Sequence, residues 1–211
     1  MNILPFSFKN DLHELLPNAL KNILRKKEDT IEIEARLGLI LDKTTGSRID
    51  INAKHPIIFS TKNTPFTFCS GVKEGHFNKL IKSFENFPKE TSEETVVITN
   101  KVRKVYEAGK LKCTMEKIRI ITHEIHFPNS EYDVRIAISK ETFIKDIGPI
   151  KDKKNVIRRD RSRISIPFNK FRFDFTKIDN TNENCYEVEL EVTEPCYDNE
   201  IFFGCLQNLV I

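Results

Sequence analysis

The stretch Ile31-Glu32-Ile33-Glu34-Ala35-Arg36-Leu37-Gly38 alternates strictly between apolar and charged side chains up to its closing glycine. Successive side chains of a strand point to opposite faces. This period of two therefore predicts a strand with Ile31, Ile33, Ala35 and Leu37 on one side and Glu32, Glu34 and Arg36 on the other. The same alternation returns near the C-terminus, where Tyr186, Val188, Leu190 and Val192 oppose Glu187, Glu189 and Glu191. Between the two ends, Arg159, Arg161 and Arg163 share a face, and Arg172, Asp174 and Thr176 alternate with Phe171, Phe173 and Phe175. Arg135 and Ser139 alternate with Val134, Ile136 and Ile138, and Lys117 shares a face with Arg119.

Rows of a single sign are costly. Same-face neighbours on a strand lie about 6.6 Å apart, and like charges at that distance repel by about 2.5 kcal/mol at an effective dielectric near 20. Half-exposed antiparallel strands ordinarily alternate apolar and polar residues, and their charges mix in sign. Here one strand carries Glu-x-Glu-x-Glu and another Arg-x-Arg-x-Arg. In a closed sheet such rows can face each other. Several carboxylate oxygens can then share a divalent cation, and guanidinium forks suit phosphate oxygens.

Residues 10–27 read as helical, capped by Asn10 or Asp11, with leucines at helical spacing and Pro17 either kinking the segment or starting a second helix. Residues 38–70 read as hairpins and loops, and Lys73 to Phe87 as a second amphipathic helix. Further strands are predicted near 96–106, 111–122, 132–139, 157–166, 171–177 and 185–193, with polar linkers at 129–130, 148–154 and 179–184. Residues 199–211 fit either a short helix or a strand. This is an α+β pattern, expected as one domain over residues 1–211. Its large antiparallel sheet should close or split into a sandwich.

Composition sets bounds. A net charge of +3 is too small to argue by itself for nucleic acid. Five cysteines without a Cys-x-x-Cys pair suggest reduced thiols in an intracellular protein. No apolar run approaches the ~18 residues of a membrane span, and no secretion signal is visible. His123 and His126, three apart in a predicted strand, point to opposite faces and make a poor metal pair. There is no Gly-x-x-x-x-Gly-Lys-[Ser/Thr] loop for a nucleotide.

Residues 31–38, Arg158-Arg159-Asp160-Arg161-Ser162-Arg163-Ile164-Ser165, Arg172 to Lys177 and Tyr186 to Glu191 together resemble the triphosphate tunnel metalloenzymes. The order R-x-R-x-R, R-x-D-x-T, E-x-E-x-E is similar to the fungal-type RNA 5′-triphosphatases of mRNA capping. Gly71-Val72 before a helix and Tyr132 to Arg135 through Lys140-Glu141 share that likeness. The resemblance implies an eight-stranded antiparallel β-barrel with flanking helices and the active site inside. It implies Glu32, Glu34 and Glu191 as ligands of Mg2+ or Mn2+. Arg103, Arg161 and Arg163 would hold the γ-phosphate, with Lys117 nearby and Glu141 orienting the attacking water. Glu187, Glu189, Arg172, Asp174 and Thr176 would brace these groups, and Arg36, Arg135 and Arg159 would extend the substrate-binding lining. The expected products are a 5′-diphosphate RNA end and phosphate.

The same resemblance implies the triphosphate end of nascent RNA as substrate, mRNA guanylyltransferase as partner, homodimers and, if the source is a cellular eukaryote, the nucleus. Larger relatives dock the guanylyltransferase through a Trp-containing segment ahead of the fold. This chain contains no Trp, so a different docking surface, or none, is expected. Two alternatives stay open at this level. One is a tunnel hydrolase of small triphosphates or inorganic polyphosphate. The other is a non-catalytic module that grips polyphosphate or RNA.

Overall fold

The computed structural model describes residues 18–60, 64–145, 148, 156–179, 184–196 and 199–210. The helix start expected at Asn10 or Asp11, the kink or second helix start at Pro17 and most of the 148–154 linker lie outside them. The described helices are α1 (Asn18–Arg25), α2 (Glu74–Ser83) and α3 (Asn199–Val210). The strands are β1 (Ile31–Asp42), β2 (Ile57–Ser60), β3 (Phe66–Ser70), β4 (Glu90–Thr99), β5 (Val102–Glu107), β6 (Lys110–His126), β7 (Asp133–Phe143), β8 (Val156–Phe168), β9 (Phe171–Asp179) and β10 (Cys185–Val192).

Eight strands close into an antiparallel barrel in the order β1-β10-β9-β8-β4-β5-β6-β7 and back to β1. The closing seam pairs the two acidic rows, with Glu34 opposite Glu191 and Arg36 opposite Glu189. Closure removes the exposed strand edges that would otherwise invite aggregation.

The apolar core lies outside the barrel wall. Ile33, Ala35 and Leu37 of β1, Phe171, Phe173 and Phe175 of β9, and Val188, Leu190 and Val192 of β10 are all buried in it. They share it with Phe77, Leu80 and Phe84 at α2 and Phe202, Phe203 and Leu206 of α3. The rings interlock, with Phe84 and Phe173 centroids 4.8 Å apart, Phe77 and Phe175 5.9 Å apart, and Phe171 and Phe202 5.8 Å apart. Fully burying such a side chain is worth about 1.5–3 kcal/mol. The apolar half of each alternation thus glues helices to the barrel, and the charged half is left to the interior.

Two elements differ from the sequence expectation. The single strand expected over 96–106 is a hairpin, β4 and β5, which turns at Asn100-Lys101. Asn100 takes a φ of 53°, which asparagine tolerates better than most residues. The ambiguous C-terminal segment is helical, and one face of it (Phe202, Phe203, Leu206, Leu209, Val210) is buried against the barrel.

β1 outruns the barrel. After Arg36 it exchanges β10 for β3, with Gly38 opposite Ser70. A Cβ at Gly38 would lie 2.2 Å from the Cys69 carbonyl oxygen and 2.7 Å from the Phe68 ring. Only glycine leaves room for Phe68 to fold over this strand. Phe68, Ile40 and Ile49 form a second small core with Ile51, Phe59 and Phe66, covering the continuation of the charged face beyond Gly38. All five cysteines are free thiols, and no described helix is long and apolar enough to cross a membrane.

Candidate active site inside the barrel

A cavity of about 400 Å3 opens within the barrel. Its acidic lining is Glu32 and Glu34 (β1), Glu94 (β4), Glu141 (β7), and Glu189 and Glu191 (β10); its basic lining is Arg36, Arg103, Lys112, Lys117, Arg161, Arg163 and Arg172. Period-two strands put these groups on one face, and barrel closure turns that face inward.

The cations are shared between carboxylates. Lys117 Nζ lies against Glu32, 3.1 Å from Glu141 Oε1 and 3.6 Å from Glu34 Oε2. Arg119 donates to Glu34 Oε1 at 3.3 Å. Arg36 donates to Glu187 at 3.1 Å and to Glu34 at 3.4 Å, and it also contacts Glu189. Arg172 donates to Glu191 Oε2 at 2.5 Å and forks onto Asp174 at 2.9 Å. Arg163 donates to Thr176 Oγ1 at 3.0 Å and lies 3.5 Å from both Asp174 and Glu189. Asp174, fully buried, also accepts the Ser165 hydroxyl at 2.6 Å. Asp174, Thr176 and Glu187 therefore stand behind the lining and aim its arginines.

The charge balance is uneven. Burial and the neighbouring Glu34 push Glu32 up to about 7, because Lys117 only partly offsets them. Burial also opposes ionisation of Glu34, but Arg36, Lys117 and Arg119 outweigh it and draw its carboxyl down to about 2. Burial lifts Glu189 and Glu191 despite their arginine partners. On the basic side, burial and the adjacent Arg163 push Arg161 below its ordinary value, against the pull of Glu94. Arg161 Nη2 is 2.8 Å from Glu94, while its buried Nε has no hydrogen-bond partner among the described residues. One wall thus holds crowded carboxylates that burial keeps from ionising fully, and the other an unsatisfied donor.

The donor set fits a hard divalent cation. Glu32, Glu34 and Glu191 offer carboxylate oxygens, and the buried Ser139 hydroxyl, paired across from Glu32, has no partner among the described residues. Among the described residues no three acidic, histidine or cysteine side chains already form a metal cage. Lys117 and Arg172 hold Glu32 and Glu191, and would have to yield them to an ion.

The structure gathers Glu32, Glu34, Arg36, Arg103, Lys117, Glu141, Arg161, Arg163, Arg172, Glu189 and Glu191 around the cavity. It does not bring Arg135 or Arg159 there. Arg135 donates to Glu124 at 3.1 Å and stacks 4.5 Å over the Phe68 ring. Arg159 is half-exposed and 4.0 Å from Glu187. Sequence reasoning missed Glu94, Arg119, Lys112, Cys113, Met115 and Phe143. Glu94 fell outside the strand expected to begin at Val96. Arg119 was visible on the face of Lys117, a signal that placed it without assigning it. Asp133 stood in the Tyr132 to Arg135 stretch, but its pairing with Arg48 and His126 could not be read because those residues meet only in the fold.

The family model described as mRNA capping enzyme, beta chain, matches residues 5–109 and 98–200. The chain is 29% identical over 220 residues to the mRNA-capping enzyme subunit beta of Candida albicans, covering 89% of this chain and 42% of that protein. It is 27% identical over 205 residues to the polynucleotide 5′-triphosphatase CTL1 of Saccharomyces cerevisiae, covering 81% of this chain and 63% of that protein. The chain thus spans less than two thirds of each. The Pct1 RNA triphosphatase of S. pombe, solved in complex with the Spt5 CTD, superposes with a TM-score of 0.80 at 18% identity, covering all of this chain and 95% of that one. The RNA triphosphatase domain of a trifunctional mimivirus capping enzyme gives 0.57 at 13% identity, over 92% of this chain and 94% of that one. Both share the barrel fold.

Proposed function

We propose, from the premise that this chain belongs to the mRNA capping enzyme beta-chain family, that it removes the γ-phosphate from triphosphate-ended RNA. The observation that carries this reading is the divided cavity. Crowded, buried carboxylates of β1 and β10 face arginines of β5 and β8, where Arg161 Nε has no hydrogen-bond partner among the described residues. A triphosphate and a divalent cation would satisfy both.

Arg161, Arg163 and Arg103 hold the γ-phosphoryl oxygens and offset charge that develops during transfer. Arg163 is held by Thr176 and Asp174, so little reorganisation is needed. Glu141 accepts from Lys117 and faces the cavity, where it orients the attacking water. Glu32, Glu34 and Glu191 would hold Mg2+ or Mn2+, which when bound supplies Lewis-acid stabilisation of phosphoryl oxygen. The products are a diphosphate RNA end and phosphate. The diphosphate end is the substrate form for guanylyl transfer, so a guanylyltransferase is the fitting partner and the nucleus the fitting compartment.

Phosphate release from triphosphate-ended RNA, with and without Mg2+ or Mn2+, tests the reading. Metal-dependent release of one phosphate per end is expected. Binding without release would leave a non-catalytic module, and rapid cleavage of tripolyphosphate with RNA ends untouched would reassign the substrate.

A further inference from the structure

The cavity grades from deep to open. Asp174 behind its far wall is 1% exposed, Glu141 is 27% exposed, and Phe143 at the rim is 74% exposed. Phe143 shares the inner face of β7 with Glu141, pairs with Met115 of β6 and lines the cavity. Single exposed apolar residues are common on protein surfaces. This one is unusual in its place, an aromatic ring at the mouth of a cavity lined mainly by charge.

We infer that Phe143 is the stacking platform for the first nucleobase of the substrate. The inference rests on the triphosphatase reading and adds a specificity determinant to it. A triphosphate drawn between the acidic and basic walls leaves its nucleoside at the rim. Deeper in, the lining offers arginines, lysines and carboxylates, which serve phosphate and cation. At the rim it offers an exposed ring, which serves a base. Stacking on an aromatic ring tolerates any base, because every base has a π-face, and so suits an enzyme that acts on ends of varied sequence. Phe143 would then separate nucleotide-ended triphosphates from inorganic polyphosphate, which the charged walls alone treat alike.

The test compares wild type, Phe143→Ala and Phe143→Trp on triphosphate-ended RNA and on tripolyphosphate. The RNA carries 2-aminopurine as its first nucleotide, and its fluorescence is followed after rapid mixing in the full reaction mixture, before phosphate appears. Wild type should quench the fluorophore. Phe143→Ala should abolish the quench and raise KM for RNA roughly tenfold, the scale of one lost base stack, with kcat and all tripolyphosphate kinetics unchanged. Phe143→Trp should restore both. An unchanged KM, an intact quench in the alanine variant, or equal losses on both substrates overturns the inference. So does a change in sedimentation of the alanine variant, which would make Phe143 a contact between copies of the chain. Quenching by wild type without phosphate release would sink the triphosphatase reading and leave the stacking role standing. Release with no quench does the reverse.

Discussion

Two buried polar clusters sit on the inward side of this barrel, and they are built on opposite terms. Around Asp133, every group is satisfied. Its Oδ2 accepts Ile40 N–H at 2.8 Å and Arg48 Nε at 3.1 Å, and its Oδ1 accepts Arg48 Nη2 at 2.6 Å and Phe127 N–H at 3.2 Å. His126 Nδ1 lies 2.9 Å from the same Oδ1. Arg48 also donates to the Ser130 and Phe127 carbonyls, at 2.6 and 3.0 Å. One carboxylate thus ties four chain segments together. Around Glu32, Glu34 and Glu191, by contrast, carboxylates crowd and cations are shared. Glu32 is held up at about 7, and Arg161 Nε and Ser139 Oγ have no partners among the described residues. A saturated cluster stabilises the fold and can bind nothing more. An unsaturated one costs stability and is ready to bind. Burial and charge alone do not distinguish them; the completeness of the hydrogen bonding does.

Replacing Asp133 with alanine gives the largest expected effect on the fold. It leaves Arg48 and two backbone amides without their acceptor, and loss of one partner from a buried pair costs about 3–5 kcal/mol. Chemical denaturation should show that loss, and stability within about 0.5 kcal/mol of wild type, the usual effect of a surface substitution, would remove the contrast. In the cavity the balance should invert. Glu32→Ala or Glu191→Ala should lower metal-dependent turnover by about 100-fold or more, the scale of losing one transition-state stabilising group. Each also relieves like-charge crowding, so the melting temperature should hold or rise. Wild-type turnover in either variant would refute the ligand assignment.

Asp174→Asn probes a residue that works through its neighbours. The Arg163 and Arg172 guanidinia each lose one of two charged partners, and a loss of roughly 10–100-fold in kcat/KM is expected, the range for groups that orient ligands. Rescue of that loss by Asp174→Glu would separate positioning from simple unfolding. The smallest effect is on pH. Glu32 sits near 7 in the fold against an ordinary 4.5, so the native state holds its proton more tightly than the unfolded chain. Its contribution to stability is therefore greatest below about 4.5 and declines as pH rises to about 7. Metal-free melting curves between pH 4.5 and 8 should show this decline, and Glu32→Gln should flatten it.

Much of the site was legible because alternation is local. A strand of period two declares its faces within a few residues, so the charged faces of β1, β8, β9 and β10 could be read directly, and the glutamates and arginines upon them named. The motif order then pointed to the barrel. The hairpin at Asn100 was hidden, because β-branched residues flank it on both sides (Thr95 to Thr99, then Val102 and Val105) and no glycine or proline marks the turn. Arg135 shows the complementary limit. It has the right face and pairs with Arg36, yet Glu124 and the Phe68 ring claim its guanidinium.

The order of residues along each strand settles which side chains share a face, because backbone geometry at a single residue enforces it. Whether a charged face looks into water or into a cavity is decided by closure of the sheet. That closure sets Glu34 beside Glu191 from opposite ends of the chain and buries the phenylalanines against helices outside the wall. Long-range pairing of this kind depends on the whole circuit of strands, so only the assembled fold could show which acids meet, which arginines are already taken, and that Phe143 stands at the open rim.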